Sequence, residues 1–437
     1  MKTLKKWLYK YSPYYPKALV YMLQASEYHL KDYINWYQNT TDFSQVEQRQ
    51  KLEKTPKALA LLGLASILLP LLVLSGAWIF WFTNLPLKIA GLILVLISPN
   101  LLAYLLVPFV FLGNILIQKP IEYFLLKKAK SKLKKHQGLK IAIAGSFGKT
   151  TMTEILNSTL SVAKKTKSPP KSYNTPLGIS KFINSLEGDE EVLIFEFGEY
   201  YPGDIKKLSK LVEPDIGIIT GINEAHLKKF KDIKNTTETI FELSDYIQPQ
   251  NLYINKDSPI AEENAPEKAI LYSKKGCNKW KIKNPQTDLP GTKFTIKTKQ
   301  QKITAESGLV GLHQLGPLSA AVHIADRLSI SLDKIKKGLK NTNPVEHRLQ
   351  PKKLNGGVTL IDDSYNGNPD GVQAAIDFLS SLKDKRRIYL TPGLVEMGPK
   401  TEKIHKQIGK KLSEANIEKV ILIKNSVTPF IEQGLKE

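Results

Sequence analysis

The stretch Ile141-Ala142-Ile143-Ala144-Gly145-Ser146-Phe147-Gly148-Lys149-Thr150-Thr151 decides how this chain is read. An apolar, largely β-branched run ends in two spaced glycines, and Lys-Thr-Thr then opens a helical pattern. The reading is strand, tight loop and helix N-terminus, where main-chain N–H groups and the helix dipole meet an anion. Gly145, Ser146, Phe147, Gly148 and Thr151 would wrap a nucleotide's phosphates, Lys149 would reach the β/γ-phosphates, and the Thr150 hydroxyl would ligate Mg²⁺. The first glycine of the usual pattern falls on Ile143, so the loop reads as an A-G-S-x-G-K-T-T variant. A glycine-rich turn by itself is often only a turn. Glycine, lysine and threonine placed directly after a buried strand point to a nucleotide.

Upstream of that strand the chain has a different texture. Ala58–Phe82 and Ile89–Gln118 carry no charged residue, and each is long enough to cross a hydrocarbon core as a helix. Pro70 and Pro99 sit inside them, which membrane helices tolerate better than soluble ones. Trp78 and Trp81 close the first run as interfacial anchors would. The link Thr83–Lys88 leaves room only for a tight hairpin. Lys51, Lys54 and Lys57 precede the pair, and Lys119, Lys127, Lys128, Lys130, Lys132, Lys134 and Lys135 follow it. The positive-inside rule then puts both flanks in the cytoplasm, giving a multi-pass anchor in the cell membrane with the rest of the chain cytoplasmic. A buried hairpin of a soluble protein is the competing reading, and two runs of this length argue against it. Residues 1–57 are basic and aromatic, without a leader-cleavage pattern, and read as one or two helices at the membrane surface or in the cytosol.

A chain of 437 residues has room for two or three domains, and its net charge of +22 would suit polyanions, although most of its lysines read as a solvated surface. No basic stretch shows interleaved aromatics or a nucleic-acid motif, so nucleic acid is not an expected partner. The lone Cys277 excludes a disulfide framework and a cysteine-based zinc site.

Downstream, strands and helices alternate over short connections, the mark of an α/β fold with a largely parallel sheet. Strands are expected at Lys140–Ala144, Val192–Glu196, Ile216–Thr220 and Leu252–Ile254, with an antiparallel hairpin over Lys293–Ala305. Helices are expected from about Ser319 to Ser329 and over Leu332–Leu339. A second α/β unit begins near Arg348, with strands Val358–Asp362, Arg387–Leu390 and Lys419–Ile423.

Polar groups stand at strand ends, where such sheets place their ligands. Glu196 ends the run Leu193-Ile194-Phe195-Glu196, and a carboxylate there can hold Mg²⁺. His226 follows Ile216–Thr220, although a lone histidine is more often structural. Val358–Asp363 ends in paired aspartates before Ser364-Tyr365-Asn366-Gly367-Asn368-Pro369, a run that could be only a surface turn.

Together these stretches resemble the Mur ligase family, ATP-dependent amide ligases of peptidoglycan precursor synthesis, in the family's own order over about residues 139–437. Ala144–Thr151 is similar to its ATP loop, and Asn174-Thr175-Pro176-Leu177-Gly178 to its substrate-side loop. Glu196 falls in the metal-carboxylate segment, His226 at the metal-binding histidine, and Asn255 and Asp257 in the nucleotide-side N-x-D. Arg348, Asp363, Asn366 and Asn368 fall in the arginine and D-D-S-Y-N-x-N-P signatures, which resemble the D-alanyl-D-alanine-adding branch. The resemblance implies residues 138–345 as a P-loop central ATP-binding domain and 346–437 as a smaller, short Rossmann-like α/β C-terminal domain. Residues 1–137, with the transmembrane hairpin, stand in place of the family's uridine-nucleotide-binding domain. It also implies catalytic roles for Lys149, His226 and Arg348, a metal held by Thr150, Glu196 and His226, and nucleotide contacts from Asn255, Asp257, Arg348 and Asp363. Asn174, Thr175, Asn366 and Asn368 are implied on the substrate side.

Two segments depart from the pattern. Ile240 stands where the family carries a carbamylated lysine between metals, and His313-Gln314-Leu315-Gly316-Pro317 replaces its adenine-side H-N-x-x-N. The expected activity is membrane-anchored ligation, using ATP and Mg²⁺, of an amino acid or dipeptide to a nucleotide- or lipid-linked muropeptide. A carboxylate is activated as its acyl phosphate and then attacked by an amine. Two alternatives remain: a related ligase that makes another amide, and a nucleotide-binding membrane scaffold without turnover. The family's amidating branch, with its cysteine-rich insert, does not suit a chain with one cysteine.

Overall fold

A computed structural model describes residues 2–46, 51–170, 173–223, 232–365, 367–395 and 397–437. The chain divides into two compact units, Met1–Phe124 and Leu125–Glu437.

The second unit is built on a ten-stranded sheet. Its strands are β1 (Leu139–Ala144), β2 (Thr166–Lys167), β3 (Val192–Glu196), β4 (Ile216–Ile219), β5 (Leu252–Asn255), β6 (Ile270–Ser273), β7 (Gly276–Cys277), β8 (Trp280–Asp288), β9 (Gly291–Lys297) and β10 (Lys302–Ser307). Their order is β10-β9-β8-β7-β6-β5-β4-β1-β3-β2. Neighbours from β2 across to β6 run parallel, and those from β6 to β10 antiparallel. Both faces of the parallel half are covered, which is why its strands read as unbroken apolar runs. Side chains alternate between two cores with the strand period of two. Ile141, Ile143, Val192 and Ile194 pack with Met152, Ile155 and Leu156 of the helix Lys149–Leu160. Ala142, Ala144, Leu193 and Phe195 pack with Ile179, Phe182 and Ile183 of the helix Pro176–Ser185. Burying one such isoleucine contributes about 1.5–3 kcal/mol.

The expected parallel strands stand within a residue of their places, and the hairpin over Lys293–Ala305 is β9 and β10, paired Lys302 to Lys297 and Ser307 to Thr292. The antiparallel half is larger than its sequence suggests. Trp280–Asp288 lacks a clean alternation, with a register shift between Lys283 and Gln286, and so hides strand β8. The helix expected from Ser319 runs over Leu315–Arg327, because Gly316 and Pro317, poor interior residues, fall in a first turn where Pro gives up nothing.

The C-terminal part forms two short sheets. β11 (Gln350–Lys353) and β12 (Thr359–Asp362) are antiparallel. β13 (Ile388–Thr391) and β14 (Lys419–Leu422) are parallel. Helices Pro369–Ser381, Thr401–Glu414 and Thr428–Lys436 pack with β13 and β14 around Ile376, Ile404, Ile408 and Ile431.

In the first unit, residues 1–57 hold more helix than the one or two segments expected. Helices Lys2–Tyr9, Tyr15–Ala25 and Leu30–Asn39 precede the helix that starts at Pro56. The apolar runs form helices Pro56–Phe82 and Leu85–Gly113, with a π-turn over Asn114–Gln118. The link between them is only Thr83 and Asn84, shorter than Thr83–Lys88, because Leu85-Pro86 starts the second helix with Pro at a first-turn position. Gly76 and Gly91 let the two helices touch: a Cβ on Gly91 would stand 2.6 Å from the Gly76 carbonyl oxygen. Tyr15, Leu19 and Tyr33 pack against Ala58, Leu61, Leu102 and Leu106 at one end of the pair. Pro99 removes the donor that would satisfy the Val95 carbonyl, and the Tyr11 hydroxyl (3.0 Å) and Ser98 hydroxyl (2.8 Å) replace it. Both helices are long and apolar enough to cross a membrane, and 22% and 33% of their most apolar stretches are buried within the protein.

Candidate functional site

β1 runs into the loop Gly145–Gly148, and the helix Lys149–Leu160 leaves it. Both glycines are required by their backbone: φ is +141° at Gly145 and +80° at Gly148, the latter forming the left-handed N-cap of the helix. The loop is fastened to the end of β4. Ser146 N donates to the Gly221 carbonyl at 2.8 Å and Thr220 N to the Ala144 carbonyl at 3.0 Å, while the Thr220 hydroxyl donates to the Phe147 carbonyl. The Phe147 ring lies so close to Gly221 that a Cβ there would be 2.3 Å from it. Asn255 Nδ2 donates to the Thr220 carbonyl at 2.6 Å, and Asn255 Oδ1 accepts from Asp257 N at 3.0 Å. Three strand ends thus form one hydrogen-bonded rim at the carboxyl edge of the sheet, the place where open α/β sheets take ligands.

A cleft of about 540 Å³ opens against that rim. One wall carries Phe147, Gly148, Thr151, Asn255 and Asp257, and the other carries Arg348, Asp363 and Asn368 from the C-terminal part. Sequence reasoning placed all eight at the site, and the fold brings them together. His347 and Leu349 hold left-handed backbone, φ +61° and +41°, on either side of Arg348. Such non-glycine conformations cost about 1–3 kcal/mol each and persist where the surroundings impose them. Here they turn Arg348 over the Tyr365 ring, 5.2 Å from its centroid. Asp363 accepts from Leu349 N at 3.1 Å, and burial pushes its carboxyl above the usual range. Asp362 beside it turns away to Lys352 (2.6 Å) and His347 (2.7 Å), and Lys352 foremost, with Ser364, holds its carboxyl well below that range.

The altered segment His313–Pro317 also lines the cleft, through His313, Gln314 and Pro317. Burial first, and Lys274 second, lower the His313 imidazole to about 4. The ring is therefore neutral and accepts from the Gln314 amide at 2.8 Å.

Other expected residues stand beside the cleft without lining it. Lys149 turns to Glu199, its Nζ 2.9 Å from each carboxylate oxygen, and donates to the Gly145 carbonyl as well. Thr150 is half-buried in the first turn, and Glu196 is half-buried at the end of β3. Asn174 packs its side chain and carbonyl on Gly198, whose N donates to it at 2.9 Å. Thr175 caps the helix Pro176–Ser185 by accepting from Gly178 N at 3.3 Å. Ile240 is fully buried in the core of its face. His226 and Asn366 lie outside the described residues.

Two residues escaped the sequence reading. Glu199 had a visible signal, a second acid three positions beyond Glu196 at a strand end. Asn223 opens the segment that the resemblance marks for His226, and its own role was not read there: its Nδ2 donates across to Asn368 Oδ1 (3.0 Å) and Asp370 Oδ2 (2.7 Å), joining the loop after β4 to the helix Pro369–Ser381.

Oxygen donors of the Thr150 and Glu196 type suit a hard divalent cation, and the backbone nest beside Lys149 suits phosphate. Comparison with known proteins identifies the family. The Mur ligase middle domain profile matches residues 143–325, and the Mur ligase glutamate ligase domain profile matches residues 347–433, together more than half of the chain. The UDP-N-acetylmuramoyl-tripeptide–D-alanyl-D-alanine ligase of Buchnera aphidicola subsp. Baizongia pistaciae is 30% identical over 65% of this chain and 62% of its own length. The enzyme of the same name from Bacillus subtilis is 26% identical over 67% and 64%. The chain thus spans less than two thirds of either relative. Among solved structures, MurF from Acinetobacter baumannii superposes with a TM-score of 0.65 at 24% identity, over 72% of this chain and 69% of that one. MurF ligase from Thermotoga maritima in complex with ADP gives 0.63 at 24%, over 71% and 72%. Both share the fold.

Proposed function

We propose, for a chain that belongs to the Mur ligase family, that it is an ATP-dependent amide ligase of peptidoglycan precursor synthesis, of the D-alanyl-D-alanine-adding kind. The observation that carries the reading is the convergence of the phosphate loop, Asn255–Asp257 and Arg348–Asp363 on one cleft. Ligation requires a carboxylate and a triphosphate to meet, so the site must gather positive charge in a preorganised space. The loop amides would supply it from one wall and Arg348 from the other, with Lys149 held beside the loop by Glu199. Thr150 and Glu196, with His226, would hold Mg²⁺, which neutralises phosphate charge when bound. The two-walled cleft also limits water, to which an acyl phosphate is vulnerable.

The helical pair of the first unit is read as a two-span membrane anchor. Its outer faces are apolar, with Leu71, Leu74, Trp78 and Trp81 all more than half exposed, and Trp78 and Trp81 sit near the turn as interfacial anchors. An anchored ligase would be suited to a lipid-linked acceptor. The deciding experiment offers ATP, Mg²⁺, amino acids and D-alanyl-D-alanine with nucleotide-linked and lipid-linked muropeptide acceptors, and identifies products by mass spectrometry. ATP consumption independent of any acceptor and amine would refute the ligase reading. Equal use of both acceptors would refute selection by the anchor.

A further inference from the structure

A trans peptide carries its carbonyl and its N–H on opposite sides, so whatever holds the carbonyl also aims the N–H. Three carbonyls around the loop after β1 are held in this way. Thr220 N takes that of Ala144 at 3.0 Å, Lys149 Nζ that of Gly145, and the Thr220 hydroxyl that of Phe147. The last belongs to the Phe147–Gly148 peptide, which is the one most able to turn over, because glycine accepts either sign of φ and Gly148 stands at +80°. Its N–H is at the start of the helix Lys149–Leu160, whose N-cap has no side-chain hydrogen bond. Such N–H groups are what an anion binds. Turned over, the same peptide would meet a phosphate with the negative end of its dipole.

We propose that Thr220 is a positioning residue for phosphate: its hydroxyl keeps the Phe147–Gly148 peptide turned so that the Gly148 N–H, and not the Phe147 carbonyl, faces the ligand. Thr220 is itself held in place. It is buried, its N–H is tied to Ala144 of β1, and its carbonyl accepts from Asn255 Nδ2 of β5 at 2.6 Å. Both backbone groups are thus fixed to neighbouring strands, and the hydroxyl is the group that reaches the loop. It lies close beneath it, since a Cβ on Gly145 would stand 2.4 Å from Thr220 Oγ1. Thr220 acts here through the loop and makes no contact with the nucleotide. The inference rests on the reading of the loop as a nucleotide site.

The test is calorimetric titration of the full chain with ADP, with pyrophosphate, which offers phosphate alone, and with adenosine, which offers none. Thr220→Val keeps the side-chain shape and removes the donor. It should weaken ADP and pyrophosphate by about tenfold or more, the scale of a buried carbonyl left without its donor, and leave adenosine within about twofold. Thr220→Ser keeps a hydroxyl and should return ADP and pyrophosphate to within about threefold of the wild type. Thr220→Ala, a second change without the hydroxyl, should repeat the loss seen with valine. Equal weakening of all three ligands by Thr220→Val, or no rescue by serine, overturns the positioning role, because the residue then only supports the fold. ADP binding that neither Thr220→Val nor Thr220→Ala weakens overturns it too, and leaves the nucleotide site standing. No ADP binding by the wild type overturns the nucleotide site and this role with it.

Discussion

Replacing Asn223 by alanine should loosen the C-terminal wall of the cleft from the sheet wall while leaving each folded. The Asn223 amide gives one hydrogen bond to a neutral oxygen, Asn368 Oδ1 at 3.0 Å, and one to a carboxylate, Asp370 Oδ2 at 2.7 Å. Net values for such bonds are about 1 kcal/mol and about 1.5–3 kcal/mol. Neither acceptor is stranded by the change. Asn368 Oδ1 keeps the Gly371 N–H at 3.0 Å, and Asp370 is exposed, so water replaces the lost amide. The loss therefore belongs at the low end, about 2 kcal/mol in total, or roughly thirtyfold in the balance between joined and separated walls. With the proposed nucleotide contacts drawn from both walls, nucleotide affinity should weaken by up to about the same factor. The assay is a double-mutant cycle on nucleotide Kd with Asn223→Ala, Asp370→Ala and the pair, and the expected coupling is about 1.5 kcal/mol. Additivity within about 0.5 kcal/mol would refute the contact as an energetic link between the walls.

Other outcomes follow from the same geometry. Gly145→Ala would set a Cβ 2.4 Å from the Thr220 hydroxyl on a backbone with φ +141°, and should cost about 2–5 kcal/mol from strain and overpacking together, read by thermal unfolding. His313 is neutral in the fold down to about 4, whereas an unfolded histidine titrates near 6.5. The unfolded chain binds the extra proton first, so this residue's contribution to stability is full above about 6.5 and is lost as pH falls from there toward 4. Chemical-denaturation midpoints across that window should fall with pH in the wild type and fall less in His313→Gln. In the first unit, Gly91→Val would drive a side chain into the Gly76 carbonyl and Phe80 N, 2.6 and 2.7 Å from the new Cβ. It should destabilise the helical pair by about 1–3 kcal/mol, seen as faster proteolysis of the detergent-solubilised chain between the two helices.

The parts legible from sequence were those whose cause is local. The apolar runs of β1, β3, β4 and β5 announce strands because a strand buried on both faces needs every side chain apolar. Gly145 and Gly148 announce the loop because few other residues accept their backbone. Strand β8 was not legible: Trp280–Asp288 is polar at most positions and breaks register, and becomes a strand only because β7 and β9 lie beside it. The first-unit helices before Pro56 were only partly legible, because they are short and the buried face of Leu30–Asn39 rests on Tyr33 and Tyr37, and tyrosine also suits strands and surfaces.

The site divides along the same line. Residue type and spacing along the chain determined that a tight glycine loop and a helix follow β1, since a few positions around the turn carry that information, and the family resemblance pointed to Arg348 and Asp363 as part of the same site. The tertiary structure alone decided that Lys149 rests on Glu199, that Thr175 is spent on a helix cap, and that Asn223 fastens the two walls. Each of these depends on where side chains distant in sequence come to lie, and on how little water reaches them, and both are fixed only when separate elements pack.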